Sequence, residues 1–301
     1  MVDIKLNLPS SFYEEENREG YVVKTSQKEL WAILLDMLLE LDRICKKNNI
    51  KYFLDSGTLL GAIRHHGFIP WDDDIDVIMT REDYNKFLEI GPQEFKEPYF
   101  LQNAYTDIDY VRGHSQIRRS NTCGILKSEY KKQVKFNQGI FIDVFVLDGI
   151  PDNKIKNFFF QQKIRLFWAG LNDFAPIFQC FNLPKIFKYR RKDLLKKYGS
   201  LKNAFKAFEQ FSQKNKNSAY VGTVMHFSSH PLKREWFAET EFALFEGFKL
   251  PIPKDYVKIL TVYYGNDYMT PKMVSTAHGD LILDTSRSYK DVLKNIEQNG
   301  L

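Results

Sequence analysis

The stretch that decides the fold of this chain is Asp55-Ser-Gly-Thr-Leu-Leu-Gly-Ala-Ile-Arg-His-His-Gly-Phe-Ile-Pro-Trp-Asp-Asp-Asp-Ile-Asp-Val-Ile-Met79. It joins a glycine-rich turn to a dense cluster of carboxylates and ends in a short apolar segment. A helix that starts at such a turn presents backbone N–H groups that bind phosphate, and clustered carboxylates bind hard divalent cations. The stretch is therefore suited to holding a divalent metal beside a phosphate.

Acidic and apolar residues alternate at the end of this stretch, in Asp74-Ile-Asp-Val77. As a strand, this segment would point both carboxylates to one face and Ile75 and Val77 to the core. The Cα atoms of Asp74 and Asp76 would then lie about 6.6 Å apart, so both side chains can reach one ion. Because two adjacent carboxylates raise each other's pKa, we predict a Mg²⁺ or Mn²⁺ ion here.

Two other interpretations of the acidic cluster fit the sequence less well. A solvated acidic turn does not explain the apolar residues that surround and follow the aspartates. An EF-hand loop requires glycine where Val77 stands.

A third acid stands within a separate apolar run, Gly139-Ile-Phe-Ile-Asp-Val-Phe-Val-Leu147. We predict a buried strand with Asp143 in its middle. An ionised carboxylate in such a strand is costly unless it is paired or bound to a metal. Asp143 is thus the candidate third ligand; the alternative is a hydrogen bond to a neighbouring loop. Asp148, just downstream, is predicted at the surface.

The elements around the glycine turn follow from local patterns. Ser26-Gln-Lys-Glu29 has the form of a capping box and precedes apolar residues at helical spacing up to Cys45. The β-branched and aromatic residues of 50–54 predict a buried strand. A short helix is predicted from Thr58 to His65. Taken alone, Ser56-Gly-Thr58 is explained at least as well by simple chain reversal.

Composition sets broad limits on the function. A chain of 301 residues, 44% of them hydrophobic, can bury a large core in one domain. The net charge of +5 fits an anionic substrate or a membrane surface and falls short of a nucleic-acid-binding signature. We therefore expect no nucleic-acid partner.

Cysteine usage and hydropathy bear on location. Cys45, Cys123 and Cys180 are far apart and lack CxxC spacing, so neither a disulfide framework nor a zinc site is predicted. The N-terminus has no signal-peptide pattern, and no run reaches the roughly 18 apolar residues that span a bilayer. The expected location is the cytoplasm, with peripheral contact at the inner face of the membrane.

Residues 155–197 differ in composition from the rest of the chain, because large aromatic residues are mixed there with many lysines and arginines. The segment predicts helices, separated at Pro176 and Pro184. A basic amphipathic helix with large aromatics can lie on an anionic membrane. Packing between helices explains the aromatics as well, and we favour it. A further helix is predicted over 201–213.

The segment Ser56–Asp76 and the following Arg81-Glu-Asp-Tyr84 strongly resemble the LicD family of phosphocholine transferases, whose animal relatives include fukutin and fukutin-related protein. The family belongs to the nucleotidyltransferase-like superfamily. Shorter similarities extend over most of residues 25–285: Ile117-Arg-Arg-Ser-Asn-Thr122, Gly139–Phe145, Phe245-Glu-Gly247, Pro253-Lys-Asp-Tyr256, Tyr264-Gly-Asn-Asp-Tyr268, Pro271 and His278.

The resemblance implies a mixed α/β (α+β) fold. We expect a nucleotidyltransferase-like core with a mixed β-sheet in residues 1–150, including an N-terminal helix. A mainly helical region in residues 151–301, an insertion and C-terminal part, would pack on the core on the acceptor side. The boundary is expected near 148–153, and the alternative is that both regions form one compact unit.

The resemblance also implies an activity: metal-dependent transfer of a phospho-alcohol from a CDP-linked donor to a sugar hydroxyl, with release of CMP. The expected transferred group is phosphocholine, with CDP-choline as its donor. The alternative donors are the CDP derivatives of ethanolamine, ribitol and glycerol. The acceptor would be a lipid-linked sugar or a cell-surface glycan such as lipopolysaccharide, teichoic acid or capsule.

The roles of individual residues are assigned by matching the motifs. Asp74 and Asp76 are the expected metal ligands, Asp143 is a third ligand or the base for the acceptor hydroxyl, and Asp72 supports these ligands or binds a second ion. The expected contacts to donor phosphate are Ser56, Gly57, Thr58, Arg64 and Arg118. Gln116 stands where many relatives carry lysine. The histidines with weaker claims to catalysis than Asp143 are His65, His66 and His278, and the aromatics that could line the site are Trp71 and Tyr84.

Three other functions remain open. A nucleotidyltransferase would move NMP, rather than the phospho-alcohol, to a small molecule or glycan. A metal-dependent glycosyltransferase could use an Asp-x-Asp strand, but it leaves the glycine turn unexplained. A catalytically silent glycan-binding protein would not require all three acids.

Overall fold

The computed structural model describes residues 1–171, 191–226, 230–273 and 281–299. The strands are β1 (Glu16–Arg18), β2 (Tyr21–Val23), β3 (Phe53–Leu54), β4 (Asp76–Thr80), β5 (Tyr99–Gln102), β6 (Ser115–Arg119), β7 (Cys123–Leu126), β8 (Ile140–Ile150), β9 (Tyr220–Gly222), β10 (Leu232–Lys233), β11 (Thr240–Phe245), β12 (Phe248–Pro253) and β13 (Leu281–Asp284). The helices are α1 (Thr25–Lys47), α2 (Ser56–Arg64), α3 (Arg81–Glu94), α4 (Lys127–Tyr130), α5 (Lys154–Leu171), α6 (Arg191–Tyr198), α7 (Leu201–Ser212), α8 (Tyr256–Tyr264) and α9 (Tyr289–Asn299).

A mixed sheet forms the centre of the structure, which confirms the predicted α+β class. Its strands run in the order β10-β9-β8-β4-β3, while β6 pairs with β8 and β5 pairs with β6. The long strand β8 lies parallel to β4 and antiparallel to β6 and β9. Every other pairing in this sheet is antiparallel. Strand β8 therefore connects the two halves of the sheet.

Helix α1 packs its apolar face on this sheet, as its periodicity predicts. Trp31 is fully buried and stacks on Phe68 with ring centroids 4.6 Å apart. The predicted capping box is wrong: Lys24 is the N-cap residue, and no side chain caps the helix. The side chains of Gln27 and Glu29 make tertiary contacts instead, with the Pro70 carbonyl and the Thr285 hydroxyl.

The second half of the chain contributes strands as well as helices. Strands β9 and β10 continue the central sheet, and β13 pairs with β7. One hydrophobic core cluster contains residues from both halves, from Val23 to Leu260. The predicted boundary region, 148–153, covers the end of β8 and the turn that leads into α5.

Several other sequence predictions have clear outcomes. The helix predicted over 201–213 is present as α7. The helices predicted within 155–197 are present as α5 and α6, whereas residues 172–190, with Pro176, Pro184 and Cys180, lie outside the described residues. Cys45 and Cys123 are buried free thiols. Among the described residues, no helix is long and apolar enough to cross a membrane.

The predicted surface position of Asp148 is wrong. Its side chain is 1% exposed and accepts two hydrogen bonds from the Arg81 guanidinium, at 2.8 and 2.6 Å. A buried carboxylate is tolerated when a guanidinium binds it in this bidentate way. The sequence did not reveal this pairing, because Arg81 and Asp148 are 67 residues apart.

Helix α2 requires glycine at position 61, because the turn that follows the helix packs against this position. A Cβ atom there would lie 2.4 Å from the carbonyl oxygen of Gly67, which is backbone and cannot rotate away. At Gly57, by contrast, a Cβ atom would meet the tip of the Asp72 side chain at 2.8 Å.

We therefore expect Gly61→Ala to lower the free energy of unfolding by about 1–3 kcal/mol through overpacking. The loss from Gly57→Ala should be smaller, since the Asp72 side chain can rotate. Urea unfolding of both variants measures this difference. Equal losses would contradict the packing described for α2.

Candidate active site

Strands β4 and β8 bring two of the predicted acids together. Asp76 and Asp143 are register partners in the parallel pair, so their Cα atoms are neighbours at about the 4.8 Å spacing of adjacent strands. Register partners in a parallel pair point to the same face of the sheet. The backbone N–H of Asp143 donates to the Ile75 carbonyl at 2.9 Å, which continues the pairing beyond the first residue of β4.

Asp76 is fixed by the glycine turn. Its backbone N–H donates to the Thr58 hydroxyl at 2.9 Å, and its carbonyl accepts from the Asp55 N–H at 3.0 Å. Thr58, predicted to contact donor phosphate, is buried and bonds to this backbone. Ser56 remains partly exposed at the start of α2, and its hydroxyl donates to Asp55 at 3.2 Å.

Asp143 is the most buried of the three predicted acids, with 7% of its surface exposed. The Gln116 side-chain amide donates to its Oδ1 atom at 2.7 Å. His114 Nε2 lies 3.0 Å from the same oxygen. The register of β6 against β8 explains the contact, because Gln116 pairs directly with Asp143.

Helix α1 positions the loop that carries the remaining acids. The carbonyl of Asp72 accepts from the Trp31 indole at 2.8 Å and from the Gln27 amide at 3.2 Å. The absence of a side chain on Gly57 allows the Asp72 carboxylate to lie against the start of α2. Asp74 was predicted to lie on the strand with Asp76, which is wrong: β4 begins at Asp76, and Asp74 lies in the preceding loop.

The acids act on one another electrostatically. Burial raises the pKa of Asp76, and the charges of Asp74, Asp143, Asp55 and Asp72 raise it further. Burial likewise raises the pKa of Asp55 to about 6. The site therefore concentrates negative charge around Asp76.

This donor set suits a hard cation such as Mg²⁺ or Mn²⁺, because all its oxygens belong to carboxylates. A dication would also reverse the repulsion that raises the pKa of Asp76. In the described part of the chain, however, no three His, Cys, Asp or Glu side chains already form a metal-ligating group. Ligation by three of these acids would therefore require their side chains to come closer together than they do here.

Helix α8 adds two tyrosines to the site. The Tyr263 hydroxyl donates to Asp55 at 3.4 Å. Tyr264 is 39% exposed and lies edge-on to Tyr263, with centroids 6.2 Å apart. Partial burial and the charges of Asp55 and Asp76 raise the pKa of Tyr264. These rings therefore lie beside the acids.

The two predicted arginines differ in position. Arg64 is partly exposed, feels the charge of Asp72, and donates to the Tyr268 carbonyl at 2.8 Å. Arg118 is fully buried and donates to Gln102 at 2.8 Å and to the Gly139 carbonyl at 2.7 Å. Its burial leaves Arg118 without an accessible surface for a donor phosphate.

The histidines and aromatics of weaker claim have positions of other kinds. His65 Nε2 is 3.1 Å from a Glu19 oxygen, and His66 is exposed in a left-handed backbone conformation. Trp71 and Tyr84 are buried in the core. His278 lies outside the described residues.

Comparison with known proteins finds a family match for the segment that contains the acids. Residues 49–168 match the LicD/FKTN/FKRP nucleotidyltransferase domain, and this segment holds α2, β4, β8 and all five clustered aspartates. These residues form a LicD-family domain.

Two relatives show how far the similarity extends. The lipopolysaccharide cholinephosphotransferase LicD of Haemophilus influenzae is 29% identical over 262 residues, which are 82% of this chain and 92% of that protein. The uncharacterised protein RP689 of Rickettsia prowazekii is 34% identical over 131 residues, 44% of this chain and 43% of that protein. The first similarity thus includes regions outside the LicD domain.

The sequence patterns did not identify Asp55 or Tyr263 as members of the site. Asp55 follows the apolar residues of β3 directly, the same signal that singled out Asp143 within its strand. Tyr263 has no local signal, because the contact with Asp55 spans 208 residues.

The raised pKa of Asp55 predicts a pH-dependent gain in stability from Asp55→Asn. The folded pKa of about 6 exceeds the ordinary value of 3.8, so ionisation of Asp55 costs stability. The cost is absent below about pH 4 and complete above about pH 6. In EDTA, Asp55→Asn should therefore raise the free energy of unfolding by up to about 3 kcal/mol above pH 6 and hardly at all near pH 4.

Asp284 provides a control of opposite sign. Although burial opposes it, hydrogen bonds from Ser286 and Arg287 lower the pKa of Asp284 to about 2. Asp284→Asn should therefore destabilise the protein at neutral pH. Urea unfolding across this pH range measures both variants, and a pH-independent effect of Asp55→Asn would contradict the burial described for Asp55.

Proposed function

We propose that this protein transfers phosphocholine from CDP-choline to a hydroxyl of a glycan or lipid-linked sugar and releases CMP. The observation that carries the proposal is the pairing of Asp76 with Asp143 on adjacent parallel strands, with further acids around them. The similarity to the cholinephosphotransferase of Haemophilus influenzae supports phosphocholine as the transferred group and a lipopolysaccharide-type glycan as acceptor.

Asp74 and Asp76 would hold a Mg²⁺ or Mn²⁺ ion, Asp143 would complete the ligand set or act as base, and Asp72 would support these ligands or bind a second ion. When bound, the ion would neutralise charge on the donor phosphates as the leaving group departs. The parallel pairing holds Asp76 and Asp143 on rigid strands, so the protein spends little conformational entropy in positioning them.

In the proposed transfer, the acceptor oxygen forms a bond to the phosphorus that carries choline. The bond from this phosphorus to the oxygen of the CMP group breaks, and CMP leaves with that electron pair. The proton of the acceptor hydroxyl passes to a base. Asp143 is suited to this role, because its pair of neighbours, Gln116 and His114, orients one of its oxygens.

The donor phosphates would bind at the start of α2. Ser56 and Gly57 are partly exposed there, and the N–H groups of the first turn carry the positive end of the helix dipole. Of the two predicted arginines, Arg64 is the accessible one, and its charge interacts with that of Asp72.

The surroundings of the acids favour a cationic donor headgroup over a neutral polyol. Several carboxylates surround Asp76, and the exposed ring of Tyr264 lies beside them. Aromatic faces attract quaternary ammonium groups by cation–π interaction. These features support choline in preference to ribitol or glycerol.

The first test measures nucleotide release from CDP-choline in the presence of a glycan extract, with Mg²⁺ or EDTA. We expect metal-dependent CMP from the wild type. Asp76→Asn keeps the shape of the side chain but removes a charged ligand, so we expect turnover to fall by at least about a hundredfold. Glu82→Gln is the control, since Glu82 is exposed on α3 and pairs only loosely with Lys86, at 3.5 Å.

Three results would contradict the proposal. Full activity of folded Asp76→Asn would show that Asp76 is not an essential metal ligand. Incorporation of NMP into the acceptor from a nucleoside triphosphate would indicate nucleotidyl transfer. Absence of CMP from every CDP-alcohol would favour a glycan-binding role.

The donor headgroup is tested through Tyr264. We expect Tyr264→Leu to raise the KM for CDP-choline by about fivefold, the value of an exposed cation–π contact, and to leave the KM for CDP-glycerol nearly unchanged. Tyr264→Phe retains the ring and should behave like the wild type with CDP-choline. Equal changes with both donors would show that Tyr264 does not select the headgroup.

A further inference from the structure

Helix α5 has apolar side chains on two opposite sides. Phe160, Ile164, Phe167 and Leu171 are buried against the rest of the protein. Ile155, Phe158 and Phe159 are 69%, 55% and 66% exposed. At about 100° per residue, these exposed side chains centre roughly 150° away from the buried ones. Leu166 is partly exposed on the same side, and we call these four residues the outer face of α5.

Basic residues border the outer face on both sides. On a helical projection, Lys154 and Arg165 lie along one edge, and Lys156 and Lys163 lie along the other. Helix α5 contains no acidic residue. An apolar stripe between two basic edges complements a surface that is apolar inside and anionic outside.

The outer face is held ready for contact by the fold itself. The Asn153 side chain accepts from the backbone N–H groups of Ile155 and Lys156, both at 3.0 Å, and so caps the start of α5. The buried face fixes the helix on the protein, for example through Phe160, which stacks on Phe211 with centroids 5.2 Å apart. Binding at the outer face therefore requires no folding of the helix.

The hairpin β11–β12 shows that exposed apolar residues alone do not give this pattern. Phe242 and Leu244 are 51% and 52% exposed, but Glu239 and Glu241 are exposed beside them. Their neighbours carry mixed charge, because Lys254 pairs with Glu239 at 2.6 Å and the Lys249 ammonium lies over the Phe242 ring. The hairpin thus offers a surface of similar hydrophobicity without two basic edges.

We propose that the outer face of α5 docks this protein peripherally on an anionic membrane surface. The aromatic side chains would enter the boundary between headgroups and acyl chains, and the basic edges would contact anionic headgroups. The proposal concerns a surface outside the candidate active site and does not rest on the proposed reaction.

The test is cosedimentation of the full-length protein with vesicles of phosphatidylcholine alone or of equimolar phosphatidylcholine and phosphatidylglycerol. We expect the protein to bind the anionic vesicles, and high salt should weaken this binding. Phe158→Ser with Phe159→Ser should weaken it by at least about tenfold through lost apolar burial. Lys154→Gln with Lys156→Gln should weaken it by about thirtyfold at low salt, because each lysine contributes about fivefold.

Phe242→Ser with Leu244→Ser is the matched control, which should bind anionic vesicles like the wild type. All these side chains are exposed, so circular dichroism should show that every variant folds. Absence of wild-type binding would overturn the proposal, and so would unchanged binding of the Phe158, Phe159 variant. A third outcome would assign the outer face to a second copy of the chain. In that case the wild type would not bind vesicles and would be a dimer in analytical ultracentrifugation, whereas the Phe158, Phe159 variant would be a monomer.

Discussion

The parallel pairing of β4 with β8 is the constraint on which the rest of the structure depends. It makes Asp76 and Asp143 register partners, so two carboxylates from distant parts of the chain point to one face of the sheet. A shift by one residue would turn one of them toward the core. The apolar residues that alternate with the acids prevent this shift, because they must remain buried.

This arrangement lowers the stability of the fold through repulsion between carboxylates. Hydrogen bonds from the surrounding elements hold the acidic segments in place. Burial raises the pKa of Asp76, and repulsion from the neighbouring acids raises it further. Backbone hydrogen bonds oppose the separation of the segments: Thr58 fixes Asp76, and the Trp31 indole fixes Asp72. Glu246 accepts from the backbone N–H of Phe68 at 3.1 Å and so attaches the β11–β12 hairpin to the loop before the acids. These hydrogen bonds thus offset the stability that is lost through repulsion among the acids.

Patterns of local sequence predicted the first helix and the buried strand that carries Asp143, because burial and periodicity leave a clear local signal. The mixed sheet was expected from the resemblance to the LicD family, and the register that pairs Asp76 with Asp143 comes from the structure. Other features depend on distant residues and left none. Asp148 is buried because Arg81 binds it. Arg118 has the chemistry of a phosphate ligand, but β-sheet packing buries it.

Three features stay predictions: the metal ligands, the contacts to the donor phosphates and the domain boundary near residue 150. The geometry of a metal site depends on the ion as well as the protein, so a sequence pattern indicates the donor set but not its final arrangement. The position of Asp74 in a loop rather than on β4 illustrates this, since a loop side chain can adjust to an ion more easily than one on a strand.

The most direct test of the account is a calorimetric titration of Mn²⁺ into the wild type and Asp76→Asn, with Glu82→Gln as control. The account predicts that the wild type and the control bind the ion equally. Asp76→Asn should bind it at least about tenfold more weakly, as expected for loss of a ligand. Equal affinity of the folded Asp76→Asn variant, or no binding by the wild type, would contradict a metal site built on β4 and β8.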